Sequence, residues 1–201
     1  RRNSIWKYNP PSLVDKLLNY FSGLTKFSQA NFTSLSKGEV AIISASLYPI
    51  EKWFFENKIS HEKLKDTAVN FATGVGKKRV EYIQKMNDYY QDLLLERDFY
   101  RQLDGKVMSL SEGKFRYKLV NSYQEVEAIQ QEESDVITIC VIFSIEGLHV
   151  LNSDIHGPLN SNQILANLSD LKQWKVPPLF VSVAHHFWNG LCGHAKSFSG
   201  I

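Results

Sequence analysis

Two segments of the sequence place side chains capable of acid–base or metal chemistry directly after long apolar runs. The run Val136–Ile145 ends at Glu146, and His149 follows three residues later. The run Leu179–Ala184 ends at His185. A carboxylate in such a place either lies at a rim or is buried against a metal or a cation, and an imidazole there can bind a metal, a carboxylate or an oxyanion. Glu146 and His185 are therefore the first candidate site residues.

Less specific interpretations of these residues stay open. Glu146 can simply accept hydrogen bonds from a loop backbone, and His185 can be a structural histidine. The Gly-rich loop after His185 contains Asn189, Cys192 and His194. A local zinc site formed by His185, Cys192 and His194 is another alternative, although the spacing matches no strong zinc signature.

The elements that must position these residues alternate between helices and strands. Apolar periodicity predicts helices over 12–25, 28–35, 61–73, 77–98, 122–131 and 162–173. Nearly continuous apolar runs predict strands over 40–48, 135–145 and 179–184, of which 135–145 has the strongest pattern. A further short strand is predicted over 118–120. The segment over 101–114 is predicted to be rich in turns. Such alternation predicts an α/β fold with parallel strands joined by right-handed crossovers. Because function collects at the carboxyl ends of parallel strands, we expect Glu146 and His185 to converge on one rim.

Composition sets the class of protein. The chain has 201 residues, of which 43% are hydrophobic, and this predicts one globular domain over 1–201. Its 23 basic and 21 acidic residues give a formal net charge of +2. A charge this close to balance gives no reason to invoke nucleic acid or a membrane surface as a partner. No apolar run reaches the roughly 18 residues that a spanning helix needs. Two cysteines, Cys140 and Cys192, do not make a disulfide framework, so we expect a reducing, cytoplasmic compartment.

The two motifs together resemble a known family. Ile145-Glu146-Gly147-Leu148-His149 and Val181-Ser182-Val183-Ala184-His185, with a helix between them, are similar in order and spacing to segments of the membrane (renal) dipeptidase family of zinc peptidases, within the amidohydrolase superfamily. In that family one strand ends in an Ile/Val-Glu-Gly-Gly-His type sequence. A later strand reads roughly Leu-Thr-Leu-Thr-His and is followed by Asn. The resemblance covers about Val136 to His194, and residues 1–130 share only a general pattern with the family.

The resemblance implies a partial (β/α)8 TIM-type barrel with parallel strands and added helices, which hydrolyses a dipeptide or another small amide. It implies that Glu146 bridges two divalent metal ions, most commonly zinc. His185 would bind the substrate and its tetrahedral intermediate as a catalytic residue. It further suggests that His149 and Asn189 contribute to substrate binding.

The sequence also departs from the family pattern. Leu148 stands where Gly is usual, and no His-x-Asp or His-x-His pair occurs to supply the first metal ligands. A complete barrel needs about 250 residues. We therefore expect the chain to be part of a longer barrel, to lack a complete metal centre by itself, and to form homo-oligomers or associate with the rest of the barrel. Two alternatives are a non-catalytic scaffold or binding member of the same fold, and a small-molecule binding domain that works without metal.

Overall fold

The computed structural model describes residues 5–6, 12–13, 16–17, 20, 30–55, 77–111, 113–151 and 159–192. Contacts between Cα atoms divide the chain into two compact units, one of Arg1–Val40 with Phe54–Lys85 and one of Ala41–Trp53 with Met86–Ile201. The predicted helix over 61–73 and His194 lie outside the described residues, as does most of the predicted helix over 12–25.

The first unit contains two described helices, α1 (Phe32–Lys37) and α2 (Lys77–Lys85). Asn31 begins α1 because its side-chain oxygen accepts a hydrogen bond of 2.8 Å from the Ser34 amide, the usual N-cap arrangement. Phe32 packs edge-on against Trp6, with 5.2 Å between ring centroids, and both side chains are buried. The helix predicted over 28–35 is therefore present but begins and ends later.

The second unit is built on a five-stranded sheet. Its strands are β1 (Ile42–Leu47), β2 (Met108–Leu110), β3 (Gly113–Leu119), β4 (Val136–Glu146) and β5 (Val181–Ser182). β1 and β3 pair in parallel with opposite edges of β4, and β2 pairs antiparallel with β3. β5 also runs parallel to β4. Parallel pairs therefore dominate the sheet, as the sequence predicts.

One edge of β4 is shared by two strands. Val120, just after β3, donates to the carbonyl of Val141, and Leu179, just before β5, donates to the carbonyl of Phe143. Because alternate residues of a strand direct their backbone groups to the same edge, β3 and β5 follow one another along that edge. The short pairing of Glu146 with Ser182 then lies at the carboxyl end of β4.

Helices cover both faces of this sheet, which explains why β4 is apolar almost throughout. The helices of this unit are α3 (Tyr89–Leu103), α4 (Tyr123–Gln130) and α5 (Ser161–Gln173). On one face Val126 of α4 packs with the buried Cys140 of β4. On the other face Tyr100 of α3 lies edge-on to Phe143, with 5.7 Å between ring centroids. Ser44 and Ser144 join β1 to β4 by a side-chain hydrogen bond of 2.9 Å between residues 100 apart in the chain.

Other predicted elements also differ from the structure. The single helix expected over 77–98 is interrupted at 86–88, where Asp88 caps α3 by accepting a hydrogen bond of 3.0 Å from the Gln91 amide. The segment expected to be turn-rich over 101–114 instead contains the end of α3, β2 and the start of β3. β5 is also shorter than the predicted strand over 179–184.

The described part of the chain thus forms a mixed α/β fold with a parallel-dominated sheet, and its five strands do not amount to the eight of a full barrel. In the described residues no helix is both long and apolar enough to cross a membrane.

Candidate functional site

The carboxyl ends of β4 and β5 bring Glu146 and His185 together. Oε1 of Glu146 lies 3.3 Å from Nε2 of His185. The Glu146 side chain is 48% exposed, whereas that of His185 is 10% exposed. This geometry confirms the expected convergence of the two side chains on one rim of the sheet, with the carboxylate open to solvent and the imidazole recessed behind it.

Gly147 allows the backbone to pass between two imidazole rings. Its φ of +90° belongs to the left-handed region that glycine adopts without strain. A Cβ atom at this position would stand 2.4 Å from Nδ1 of His149 and 2.9 Å from Cβ of His185. The Gly147 amide donates to the Ser182 carbonyl at 3.1 Å, which continues the pairing of β4 with β5. The glycine therefore fixes the spacing of the two histidines.

A third site residue, Glu51, lies four residues after the end of β1 and is absent from the sequence-based candidates. Its side chain is only 2% exposed. One carboxylate oxygen, Oε2, lies 2.6 Å from Nδ1 of His185 and accepts a hydrogen bond of 3.0 Å from the Tyr48 hydroxyl. The other oxygen, Oε1, accepts a hydrogen bond of 3.2 Å from the Phe187 amide. His185 is thus flanked by two carboxylates, one buried and one at the rim.

Tyr48 completes the buried side of this arrangement. Its ring lies 4.4 Å from that of His185, centroid to centroid, and limits the positions that the imidazole can take. Burial raises the pKa of the Tyr48 phenol well above its ordinary value, and the charge of Glu51 raises it further. The phenol therefore stays protonated and acts as a hydrogen-bond donor to Glu51.

His149 is a neutral, buried histidine beside this cluster. It is 5% exposed, and its Nε2 lies 2.8 Å from the carbonyl oxygen of Pro49. A carbonyl only accepts hydrogen bonds, so Nε2 carries the proton and Nδ1 presents its lone pair. In the described residues Nδ1 has no hydrogen-bond partner, and the nearest oxygen of Glu51 is 4.0 Å away. Substrate binding by His149 stays a prediction.

Burial lowers the pKa of the His149 imidazole, against the opposing effects of the Pro49 carbonyl and the Glu51 and Glu146 carboxylates. Between the unfolded pKa of about 6.5 and the lower folded pKa, the unfolded chain binds the proton more readily. Stability should therefore be lost as the pH falls below about 6.5, by up to about 1.4 kcal/mol per pH unit from this group.

Urea unfolding of the wild type and a His149→Gln variant, between about pH 8 and about pH 5, measures this effect. Gln keeps a donor for the Pro49 carbonyl and does not titrate. We expect the wild type to lose stability relative to the variant as the pH falls. A stability difference that stays constant across this range would show that folded and unfolded His149 bind a proton equally well.

The loop after His185 is held together by Asn189. Its side-chain nitrogen donates to the Val183 carbonyl at 2.7 Å, and its side-chain oxygen accepts from the amides of Leu191 and Cys192 at 3.0 and 2.9 Å. These bonds engage both ends of the carboxamide within its own loop, and a substrate-binding role for Asn189 stays a prediction. His186 packs edge-on against His185, with 4.2 Å between ring centroids.

The donors at this rim are of the kinds that bind divalent metal ions, but they are few. Within residues 30–55, 77–111, 113–151 and 159–192, no group of three or more His, Cys, Asp or Glu side chains is arranged to hold a metal. Both ring nitrogens of His185 already face carboxylates. The described residues by themselves therefore do not form a two-metal centre. The local zinc alternative stays a prediction, because His194 lies outside the described residues, and Glu146 presents an exposed carboxylate at the rim.

Comparison of the chain with protein-family models, with curated proteins and with solved structures finds no match.

Proposed function

We propose that the rim formed by Glu146 and His185 is part of a hydrolytic site for a dipeptide or another small amide. The observation that carries this proposal is the approach of Nε2 of His185 to within 3.3 Å of the Glu146 carboxylate at the carboxyl end of parallel strands. Catalytic groups of parallel α/β folds collect at this end of the sheet. The same two residues carry the resemblance to the dipeptidase family.

In this proposal His185 binds the scissile carbonyl. It would do so with a hydrogen on each ring nitrogen: Nδ1–H donates to the buried Glu51, and Nε2–H faces the rim, where it can donate to the carbonyl oxygen. A donor aimed at the position where negative charge develops stabilises the tetrahedral intermediate more than the ground state. Such an oxygen would take the place on Nε2 that the Glu146 carboxylate occupies in the structure. Because Glu146 is half exposed, its carboxylate can move aside without unfolding the strand.

The metal ions and the barrel belong to the same proposal. Glu146 would serve as one ligand to two divalent ions, zinc by the resemblance, with the other ligands drawn from outside the described residues. The described donors are too few to define the positions of these ions. We likewise propose that the sheet is part of a (β/α)8 barrel that is completed by further chain or by association with another subunit.

The free thiols of Cys140 and Cys192 agree with a cytoplasmic location.

A second candidate is a scaffold or binding member of the same fold. The engagement of Asn189 within its own loop and the low number of metal donors favour it. This candidate keeps the sheet and the buried Glu51 but assigns Glu146 no role in hydrolysis. Its distinguishing expectation is a folded protein with no metal-dependent turnover.

The test uses the protein as it is encoded, including any sequence that flanks residues 1–201. The protein is incubated with a panel of dipeptides and small amides, with added Zn²⁺, Mn²⁺ or Co²⁺ and with a chelator, and released amines are quantified. We expect hydrolysis of at least one dipeptide that depends on the divalent ion. No turnover in any condition, together with metal analysis showing no bound ion, would favour the scaffold interpretation.

A further inference from the structure

We propose that Glu51 is the positioning residue of this site, which holds a hydrogen on Nδ1 of His185 and so directs the other ring nitrogen, Nε2, to the rim. The effect on catalysis rests on the proposed function, whereas the state of the imidazole is measurable without any substrate. Nothing in the two sequence motifs points to Glu51, because it belongs to the segment after β1.

The first support is the set of groups around the carboxylate. Three groups contact the Glu51 carboxylate. The Tyr48 hydroxyl and the Phe187 amide donate hydrogen bonds to it, and Nδ1 of His185 lies within hydrogen-bond distance. The hydroxyl and the amide leave the carboxylate acting as an acceptor. Nδ1 at 2.6 Å from the same oxygen that accepts from Tyr48 must then carry the hydrogen of that bond. The bond therefore keeps a hydrogen on Nδ1, whether or not Nε2 also carries one.

The second support is burial. A carboxylate that is 2% exposed is stable only when its oxygens are paired, and here both oxygens are. The side chains of His185 and Glu51 are 10% and 2% exposed, so water competes little for the bond between them. A hydrogen bond to a charged group in such surroundings is stronger and shorter than a neutral one. The His185 ring is consequently fixed in orientation, with a hydrogen held on Nδ1.

The third support is the span of the contacts. Glu51 follows β1, whereas His185 and Phe187 follow β5, and the two strands pair with different edges of β4. One carboxylate thereby attaches the loop after β5 to the segment after β1. Its two oxygens hold that loop at two points, one on a side chain and one on the backbone. Rotation of His185 away from the rim would require one of these bonds to break.

The experiment is long-range nitrogen–proton NMR on the protein labelled with ¹⁵N-histidine, which reports which ring nitrogen carries the proton. In the wild type at neutral pH we expect Nδ1 of His185 to carry a hydrogen, as its contact with Glu51 implies. A wild-type spectrum in which Nδ1 is unprotonated at neutral pH overturns the proposal without any variant.

Variants separate the hydrogen bond from the charge. In Glu51→Met, which has similar length but no oxygen, we expect His185 to lose its Nδ1–H signature and become a mixture of tautomers. In Glu51→Gln an amide oxygen still accepts from Nδ1, so the signature should be retained. The control Tyr48→Phe removes one donor to Glu51 but leaves its contact with His185, and the signature should persist. If Glu51→Met folds and keeps the wild-type signature, Glu51 does not position the ring.

Activity links this inference to the proposed function. Where the protein hydrolyses a dipeptide, Glu51→Met should lower kcat by about 10- to 100-fold, as loss of an orienting partner typically does, with a much smaller change in KM. Glu51→Gln should recover most of that loss. A protein with the expected His185 spectrum but no hydrolysis contradicts the proposed function alone, whereas hydrolysis with unprotonated Nδ1 contradicts the role of Glu51 alone.

Discussion

Replacing Gly147 by alanine is expected to lower the free energy of unfolding by about 3–4 kcal/mol, an unusually large effect for the addition of one methyl group. Part of the cost is the φ of +90°, which a residue with a Cβ adopts only with strain. The rest is overlap, because the new atom would lie 2.4 Å from Nδ1 of His149 and 2.7 Å from Cε1 of the same ring. His149 is buried and has little room to withdraw.

Gly105→Ala is the matched control for this prediction. Gly105 also has a positive φ, +70°, but a Cβ there would meet only the flexible end of Lys118, at 3.3 Å from Nζ. This variant should therefore show the cost of the backbone conformation, about 1–2 kcal/mol, without the overlap. Urea unfolding of both variants gives the comparison. Equal losses of stability in the two would mean that the imidazoles move freely and that Gly147 does not set their spacing.

Replacing His185 by alanine is expected to lower the turnover of a dipeptide by about 10²–10³-fold while leaving the metal content close to that of the wild type. The assigned partner of His185 is the substrate, so its loss removes a donor to the developing oxyanion. Glu146→Gln should instead lower both the metal content and the activity, because it removes a charge from the proposed ligand with little change in shape. Kinetics and metal analysis of the same preparations separate the two effects.

Glu133→Gln is a suitable control, because it removes an exposed carboxylate before the start of β4 without changing the rim pair. This variant should retain metal and most of the activity. If Glu146→Gln lowers stability but keeps full metal content, then Glu146 has a structural role. Unchanged hydrolysis in both Glu146→Gln and His185→Ala would remove these residues from the site altogether.

The sequence predicts the convergence of Glu146 and His185 because its signals are local. Glu146 and His185 each end a nearly continuous apolar run, and the carboxyl ends of parallel strands meet at one edge of a sheet. The same local logic was available for β3, where Phe115, Tyr117 and Leu119 are buried in strict alternation. The predicted short strand over 118–120 covers only the end of β3, because the period of two residues that begins at Phe115 was overlooked. The break before α3 was also marked, by Asp88 with Gln91 three residues later.

Glu51 was harder to predict because its role depends on contacts far along the chain. The predicted first strand ends before Pro49, and a glutamate two residues after a proline carries no motif of its own. Its burial follows only from the pairing of β1 with β4, which brings the segment after β1 beside the loop after β5. The available signal was positional: a carboxylate shortly beyond the end of a predicted parallel strand belongs to the same rim as the other strand ends.

The pairing of β1 with β4 also has a consequence for the kinetics of folding. The hydrogen bond between Ser44 and Ser144 joins residues 100 apart, and the contact between Glu51 and His185 joins residues 134 apart. Contacts of such long range carry a high entropic cost of loop closure before any stabilisation is gained, and they slow folding. On a ribosome that adds about 5–20 residues per second, Glu51 is synthesised on the order of ten seconds before His185. β1 has no strand partner until β4 has been synthesised, so for much of that interval the newly made chain exposes an unpaired strand, a feature that favours aggregation.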